Sequence, residues 1–331
     1  MKTTPSVASY LVHRYTEYWL NLGCSEDLLK SLFAQHYSHL TDSDYRVPED
    51  VLANAYRKVS EALSEPLLGV KTGLFHVPSS LGVIGTLTNT SKDIKMALCC
   101  GIRFFDILSQ SYQCTFHENN HGGFLRVFPL EGVDVSHHQI DAFLSTFVRL
   151  VLFVHGVPGG TFYVTHTPSQ AIQKLYLKTL NIKVEFGQAF NGYYFPKDIL
   201  AGRLSYAGEE AHQQQLKIAL SVYDKTPGVS DTVELLRRHL RLAQENDRVS
   251  LEVLAQQLFV TPRTLQNQLK RQGLSFNILS QHERLSQVEE MLKTETDVEV
   301  ISKKLGYEHV SRFYRAFKSF KGQTFQDYYQ V

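Results

Sequence analysis

Apolar and polar positions along the chain change rhythm twice. Up to about residue 65 the spacing is helical: behind Val47-Pro48-Glu49-Asp50, the residues Val51, Leu52, Ala55, Val59 and Leu63 share one face, and Pro66 stops the run. From Leu67 to Phe128 the texture turns β-like, with β-branched and aromatic runs punctuated by Gly69, Gly73, Gly82, Gly85 and the Asn-Gly-rich stretch at 119–123. Within it, Ile94–Leu108 predicts a helix, and Gln113–Phe116 with Phe124–Phe128 predict two strands around a loop. A helix over Gln139–Val154 follows, then a break at Pro158-Gly159-Gly160 and a strand at Thr161–Thr165. Ser169–Leu180 reads as helix, and Lys183–Phe186 and Gly192–Phe195 as strands. Residues 1–225 therefore predict an α+β domain. Beyond the boundary at Lys225-Thr226-Pro227-Gly228, residues 226–331 predict an all-α domain, opening with a helix over Asp231–Gln244 that turns Val233, Leu236, Leu240 and Ala243 to one side.

The all-α tail repeats itself. Ser250-Leu251-Glu252-Val253-Leu254-Ala255-Gln256-Gln257-Leu258, the turn Phe259-Val260-Thr261 and the helix from Pro262 to Gln272 form one helix-turn-helix, at 250–272. Asp297 to Leu305, the turn Gly306-Tyr307-Glu308 and the helix from His309 to Lys321 form a second, at 297–321. The two align at an offset of 47 residues up to the turn, where the second gains one residue. Ser250 and Asp297 are suited to cap their opening helices, because a side-chain oxygen can accept a backbone N–H that the first turn leaves unpaired. Thr261 is a cap candidate for the next helix, with Pro262 at its first position. Leu251, Leu254, Ala255, Leu258, Leu265 and Leu269 face inward in the first motif; Val298, Ile301, Leu305, Phe313 and Phe317 do so in the second. Between them, Gln281–Leu292 predicts a single connecting helix with Leu285, Val288 and Leu292 inward.

Charge sharpens this picture. The formal net charge is only +1, but it is sorted by position. Arg263, Lys270 and Arg271 lie on one closing helix, and Arg312, Arg315, Lys318 and Lys321 on the other, with no Asp or Glu on either. Glu283, Glu289, Glu290, Glu295, Asp297 and Glu299 crowd the segment between. A helix of this size fits the major groove of B-DNA; Arg pairs bidentately with guanine, and Gln or Asn with adenine. Arg263, Gln266, Asn267 and Lys270 are therefore expected to face double-stranded DNA from the first motif, and Ser311, Arg312, Tyr314, Arg315 and Lys318 from the second.

Bulk composition excludes other classes. At 331 residues, with 43% hydrophobic and 20% charged residues, the chain suits two or three ordinary globular domains. The N-terminus lacks a signal-peptide apolar run, and the longest apolar stretch, Phe147–Val154, is short and holds Arg149. A cytoplasmic protein without a membrane partner is expected. Cys24, Cys99, Cys100 and Cys114 form no C-x-x-C pair and suit a reducing compartment as small buried groups.

Residues about 231–330 resemble the DNA-binding domain of the AraC/XylS family of bacterial transcription regulators. Thr261-Pro262-Arg263-Thr264-Leu265-Gln266 is similar to the family's S-P-R-T-L-Q run. Gly306-Tyr307 through Ser311-Arg312-Phe313-Tyr314-Arg315-Ala316-Phe317-Lys318 is similar to its G-Y-x-x-x-S-x-F-x-R-A-F-K signature. The resemblance implies groove contacts from Arg263, Gln266 and Asn267 in one reader helix, and from Ser311, Tyr314 and Arg315 in the other. Asn267-Gln268 stands where members often carry Arg-Arg; Phe325 occupies the usual proline position and Tyr329 the usual arginine position. Upstream, Val164-Thr165-His166-Thr167-Pro168, Tyr176, Val184 to Phe195 and Leu81-Gly82-Val83-Ile84-Gly85 resemble the arabinose-binding-type N-terminal domain of a subgroup, over about 20–205. That likeness implies a module that binds a small effector or a second copy of the chain. It implies an activator that meets RNA polymerase, without enzymatic activity or cofactor, and leaves the effector and its binding residues unnamed.

The rival chemistry is His117-Glu118-Asn119-Asn120-His121, which matches the H-E-x-x-H pattern of zinc hydrolases. That chemistry needs both histidines on one helical face, whereas Asn-Asn followed by Gly122-Gly123 between strands predicts a turn. His137-His138 is expected to be solvated ahead of a helix, so no metal site is expected. His155 to Gly160 faintly resembles an oxyanion loop, but no G-x-S-x-G elbow accompanies it. No phosphate-binding glycine pattern occurs, and Phe190–Phe195 is expected to be core rather than pocket.

Overall fold

The structure is a computed structural model that describes residues 5–76, 78–130, 132–226, 236, 240, 250–257, 261–271, 274–292 and 297–329. The helix expected over Asp231–Gln244 (Leu236 and Leu240 apart), the Pro227-Gly228 boundary, and Leu258-Phe259-Val260 of the first turn lie outside the described residues. The chain divides into two units, Met1–Val229 and Ser230–Val331.

The first unit mixes helices with a five-stranded sheet, the predicted α+β class. It opens with β1 (Ser6–Ala8), α1 (Ser9–Asn21), α2 (Glu26–Phe33), β2 (Arg46–Pro48) and α3 (Glu49–Ala62). β1 and β2 pair with each other in a small antiparallel sheet. Next come α4 (Leu68–Phe75), α5 (Gly82–Asn89), α6 (Ile94–Arg103), β3 (Tyr112–Glu118), β4 (Gly122–Pro129) and α7 (His137–His155). The unit ends with β5 (Thr161–Tyr163), α8 (Gln170–Leu180), β6 (Lys183–Glu185), β7 (Asn191–Pro196), α9 (Lys197–Leu200) and α10 (Glu209–Lys225). The large sheet runs β3-β4-β7-β5-β6, antiparallel except for β5 and β6. That parallel pair needs a crossover, which α8 supplies.

The β-like texture after Leu67 does not become strand before Tyr112; Leu68–Phe75 and Gly82–Asn89 are helices. Glycine is a poor helix former, so the composition argues against α4. Packing reverses that preference. A Cβ on Gly69 would stand 2.1 Å from the backbone oxygen of His138, and one on Gly73 would stand 2.1 Å from that of Ala142. Two glycines four apart thus let α4 lie backbone to backbone on α7. On the same helix, Thr72 ties α4 to α1: it donates to the Leu68 carbonyl at 2.7 Å and accepts from the buried Trp19 indole at 3.0 Å.

α7 is the central helix of the unit, packed against α3 and α4 and also against β7. It begins two residues earlier than its apolar pattern predicts, because Ser136 and Gln139 form a reciprocal capping box. Gly156, at φ 72°, closes it in the left-handed conformation. Gln139 also donates to Glu49 Oε1, while Glu49 Oε2 is buried with no hydrogen-bond partner. Burial accordingly pushes the Glu49 carboxyl up to about 7.

The four cysteines are free and buried, as expected of small apolar groups. Burial raises every one of these thiols, Cys99 to about 12 and Cys100 to about 11. Among the described residues, no helix is long and apolar enough to cross a membrane.

Gly73→Leu is expected to drive side-chain atoms into the α7 backbone and destabilise the first unit by about 1–3 kcal/mol or more, measured by urea unfolding. Unchanged stability would remove the close approach as the reason for that glycine. Glu49 binds its proton more tightly when folded than the unfolded carboxyl does. Its contribution is complete below 4.5 and is lost as pH rises through about 7. Glu49→Gln is expected to abolish roughly 3 kcal/mol of that loss, read as the difference between wild-type and variant unfolding curves on the two sides of the window.

Candidate nucleic-acid interface and an apolar cavity

The second unit contains both expected helix-turn-helix motifs. In the first, α11 (Leu251–Gln257) begins behind Ser250, whose Oγ accepts the Val253 amide at 3.2 Å, and α12 (Pro262–Arg271) follows. Leu251, Leu254, Ala255, Leu265 and Leu269 form one core with Leu236 and Leu279. Burying Leu265 and Leu269, four residues apart, fixes the rotation of α12 about its axis. Arg263, Gln266, Asn267 and Lys270 are consequently all exposed.

In the second motif, α15 (Val298–Lys304) is capped by Asp297, which accepts the Glu299 amide at 2.8 Å. Gly306, at φ 77°, turns the chain toward α16 (Val310–Lys321), and Gly322, at φ 78°, ends that helix. Phe313 and Phe317 are fully buried with Ile301, Leu305, Leu285, Val288 and Phe325. Ser311, Arg312, Arg315 and Lys318 are exposed. Tyr314 departs from the outward expectation: it is half-buried, its ring 5.6 Å from Phe313 and 5.9 Å from Phe325. Arg312 is not wholly free, since its guanidinium meets Glu308 at 3.0 Å one turn earlier. Both side chains of that pair are solvated, so it is weak and exchangeable.

The sequence departures at Phe325 and Tyr329 have a packing account. α17 (Phe325–Tyr329) places Phe325 5.1 Å from Phe317 and 5.5 Å from Phe313, and Tyr329 4.9 Å from Phe325. Aromatic rings here fill core space beneath the reader helix.

The expected single connecting helix over Gln281–Leu292 is instead two pieces, α13 (Phe276–Ser286) and α14 (Val288–Met291), interrupted at Gln287. α13 still ties the motifs together, because Leu279 belongs to the first core and Leu285 to the second. Each end is held by its own cluster, with Val288 seated beside Leu285 in the second. Glu283, counted above with the acidic segment, is buried on this helix.

The H-E-x-x-H residues lie on a hairpin. His117 and Glu118 end β3, opposite Phe124 and Gly123 of β4, and Glu118 pairs with Lys95. Asn119 Oδ1 accepts the amides of His121 at 2.8 Å and Gly122 at 3.1 Å, which closes a tight loop. Strand and loop do not bring both histidines to one helical face, so a hydrolase built on them is not supported. His137-His138 corrects a second expectation. The pair opens α7 rather than preceding it, and His138 is buried, although His137 is exposed. Tyr193 and Phe195 are core, as expected.

Sequence reasoning missed a cavity of about 200 Å³ in the first unit. Leu11 of α1, Leu52 of α3, Ile84 of α5, Ala97 of α6 and Phe143, Phe147 and Phe153 of α7 line it, with few polar groups. One is His76, whose Nδ1 lies 2.9 Å from Ser80 while its Nε2 is buried without a partner. Burial lowers this imidazole to about 4, which keeps it neutral. Arg149 is also a lining residue. Such a site, apolar with a few polar groups, suits a small organic ligand.

A family model described as "Arabinose-binding domain of AraC transcription regulator, N-term" matches residues 36–204, and one described as "Helix-turn-helix domain" matches residues 254–330. Among curated proteins, the chain is similar to the ornithine utilization regulator of Pseudomonas aeruginosa, 24% identical over 272 residues that cover 80% of this chain and 78% of that protein. Among solved structures it is similar to the transcriptional regulator CdpR from Pseudomonas aeruginosa, at 20% identity and a TM-score of 0.41, covering 82% of this chain and 91% of that one. It is also similar to the C-terminal domain of AraT, a response regulator from Geobacillus stearothermophilus, at 29% identity and a TM-score of 0.27, covering 30% and 84%.

Proposed function

The chain belongs to the AraC family of transcription regulators, and on that premise we propose that α12 and α16 enter two successive major-groove segments of a promoter. The observation that carries this reading is the sorting of each helix: leucine or phenylalanine pairs buried, and an acid-free polar side left to solvent. Arg263, Gln266 and Asn267 would meet base edges from one helix, and Ser311 and Arg315 from the other. Lys270, Arg312 and Lys318 would meet phosphates. Tyr314, half-buried on Phe325, would brace Arg315 and present its hydroxyl at the rim.

Residues 1–225 act as the sensing module and residues 226–331 as the DNA reader. The effector is a small, mainly apolar molecule that fills the cavity and offers a hydrogen-bonding group to His76. By binding one arrangement of the chain better than another, it shifts DNA affinity by that difference. The protein works in the cytoplasm as an activator, in contact with RNA polymerase, and the sensing module pairs two copies.

Arg315→Ala should cost roughly 1–3 kcal/mol on the preferred promoter and relax choice at one base position. Equal loss on scrambled DNA would reduce that residue to a phosphate contact. Lys318→Ala should weaken binding to all sequences and flatten the salt dependence by about one ion; an unaltered slope would remove it from the backbone. The cavity has its own test. A Cβ on Gly101 would meet Thr88 at 3.8 Å, an ordinary contact, and Gly101 lines the cavity, so Gly101→Leu adds side-chain bulk to it from α6. An apolar cell extract is expected to change the promoter affinity of the wild-type chain but not of Gly101→Leu. An equal response in both would exclude this cavity as the effector site.

A further inference from the structure

We propose that His137, His138 and Asp141 on the first turns of α7, completed by His166 from the segment after β5, bind one divalent transition-metal ion of the zinc class. The first three are positions i, i+1 and i+4 of one helix, and each offers a ligand atom within 4.8 Å of the other two. His166 stands beside these three from the opposite element: its Nε2 lies 3.2 Å from the Tyr176 hydroxyl, which it would exchange for the ion, and 3.7 Å from Asp141 Oδ2, and its ring lies 4.9 Å from that of His137. Donors on one tetrahedral zinc ion stand roughly 3.4 Å apart, given zinc–nitrogen bonds of about 2.0–2.1 Å.

Two buried atoms make the cluster more than a coincidence of spacing. His138 Nδ1 and Asp141 Oδ1 have no hydrogen-bond partner, and the Asp141 side chain is 0% exposed. Its other oxygen accepts from the Tyr176 hydroxyl at 2.5 Å, an arrangement that fixes the carboxylate plane and leaves Oδ1 over. Orphaned polar atoms of this kind are rare and costly in a folded interior. An ordinary buried Asp–His ion pair does not account for them.

The donor set also selects the ion. Three imidazoles and a carboxylate suit zinc, cobalt or nickel, whereas calcium and magnesium prefer all-oxygen sites. A helix N-terminus disfavours a cation, and the Asp141 carboxylate offsets that field. His137 is exposed and gives the ion an entry. Further along the same helix, Phe143, Phe147 and Phe153 line the apolar cavity, so the ion would fasten the start of the helix that forms one of its walls.

The site is independent of the DNA-reading proposal and can be tested without DNA. The full chain, stripped with a chelator, is titrated with Co(II) and then Zn(II). One equivalent of Co(II) is expected to bind with the intense visible absorption of a tetrahedral site, and Zn(II) is expected to bleach it. His137→Ala and His166→Ala should each weaken Co(II) binding at least tenfold, with the fold verified by circular dichroism. If His166→Ala does not fold, His137→Ala, at an exposed position, decides alone. His121→Ala, which removes a histidine of the β3–β4 hairpin, should change nothing. No stoichiometric binding, binding that survives His137→Ala undiminished, or loss of binding in His121→Ala would each overturn the proposal.

Discussion

What each reader helix can touch is decided by what it hides. Leu265 with Leu269, and Phe313 with Phe317, are buried pairs four residues apart, and a helix of 3.6 residues per turn has no freedom to rotate once such a pair is seated. The exposed Arg, Gln, Asn and Lys side chains are therefore aimed by apolar packing, not by their own charge. α13 enters both cores, through Leu279 and Leu285, so the two aims are referred to a common rod. The aromatic residues at Phe325 and Tyr329 belong to the same logic. They add bulk beneath α16 rather than another cation beside it.

Much of the second unit was legible in the sequence because its signals are local. Caps at Ser250 and Asp297, apolar spacing of three and four, and Gly306 at the turn each act within a few residues. The same holds for β3, β4 and β7, whose alternation and flanking glycines predict them within a residue or two. α4 was not legible, because its glycines answer to a partner helix about seventy residues away rather than to local propensity. The cavity was not legible because its lining is gathered from five helices and the segments between them, which only the tertiary fold brings together.

His137-His138 shows how a short motif can mislead in both directions. The sharper sequence match, His117 to His121, dissolves into a hairpin closed by Asn119. The plainer histidine pair gains chemistry only when Asp141, one turn on, and His166, nearly thirty residues on, fold toward it. Spacing along a strand or loop carries no donor geometry; spacing along a helix does, and a long-range partner completes it.

The backbone seating of α4 on α7 has a mechanical consequence. Side chains normally absorb small displacements between helices by changing rotamer, so a shift at one end fades within a few ångströms. Gly69 and Gly73 remove that cushion. Any tilt of α7 is handed on to α4 at full amplitude, and the pair behaves as a single stiff lever whose fulcrum is bare peptide.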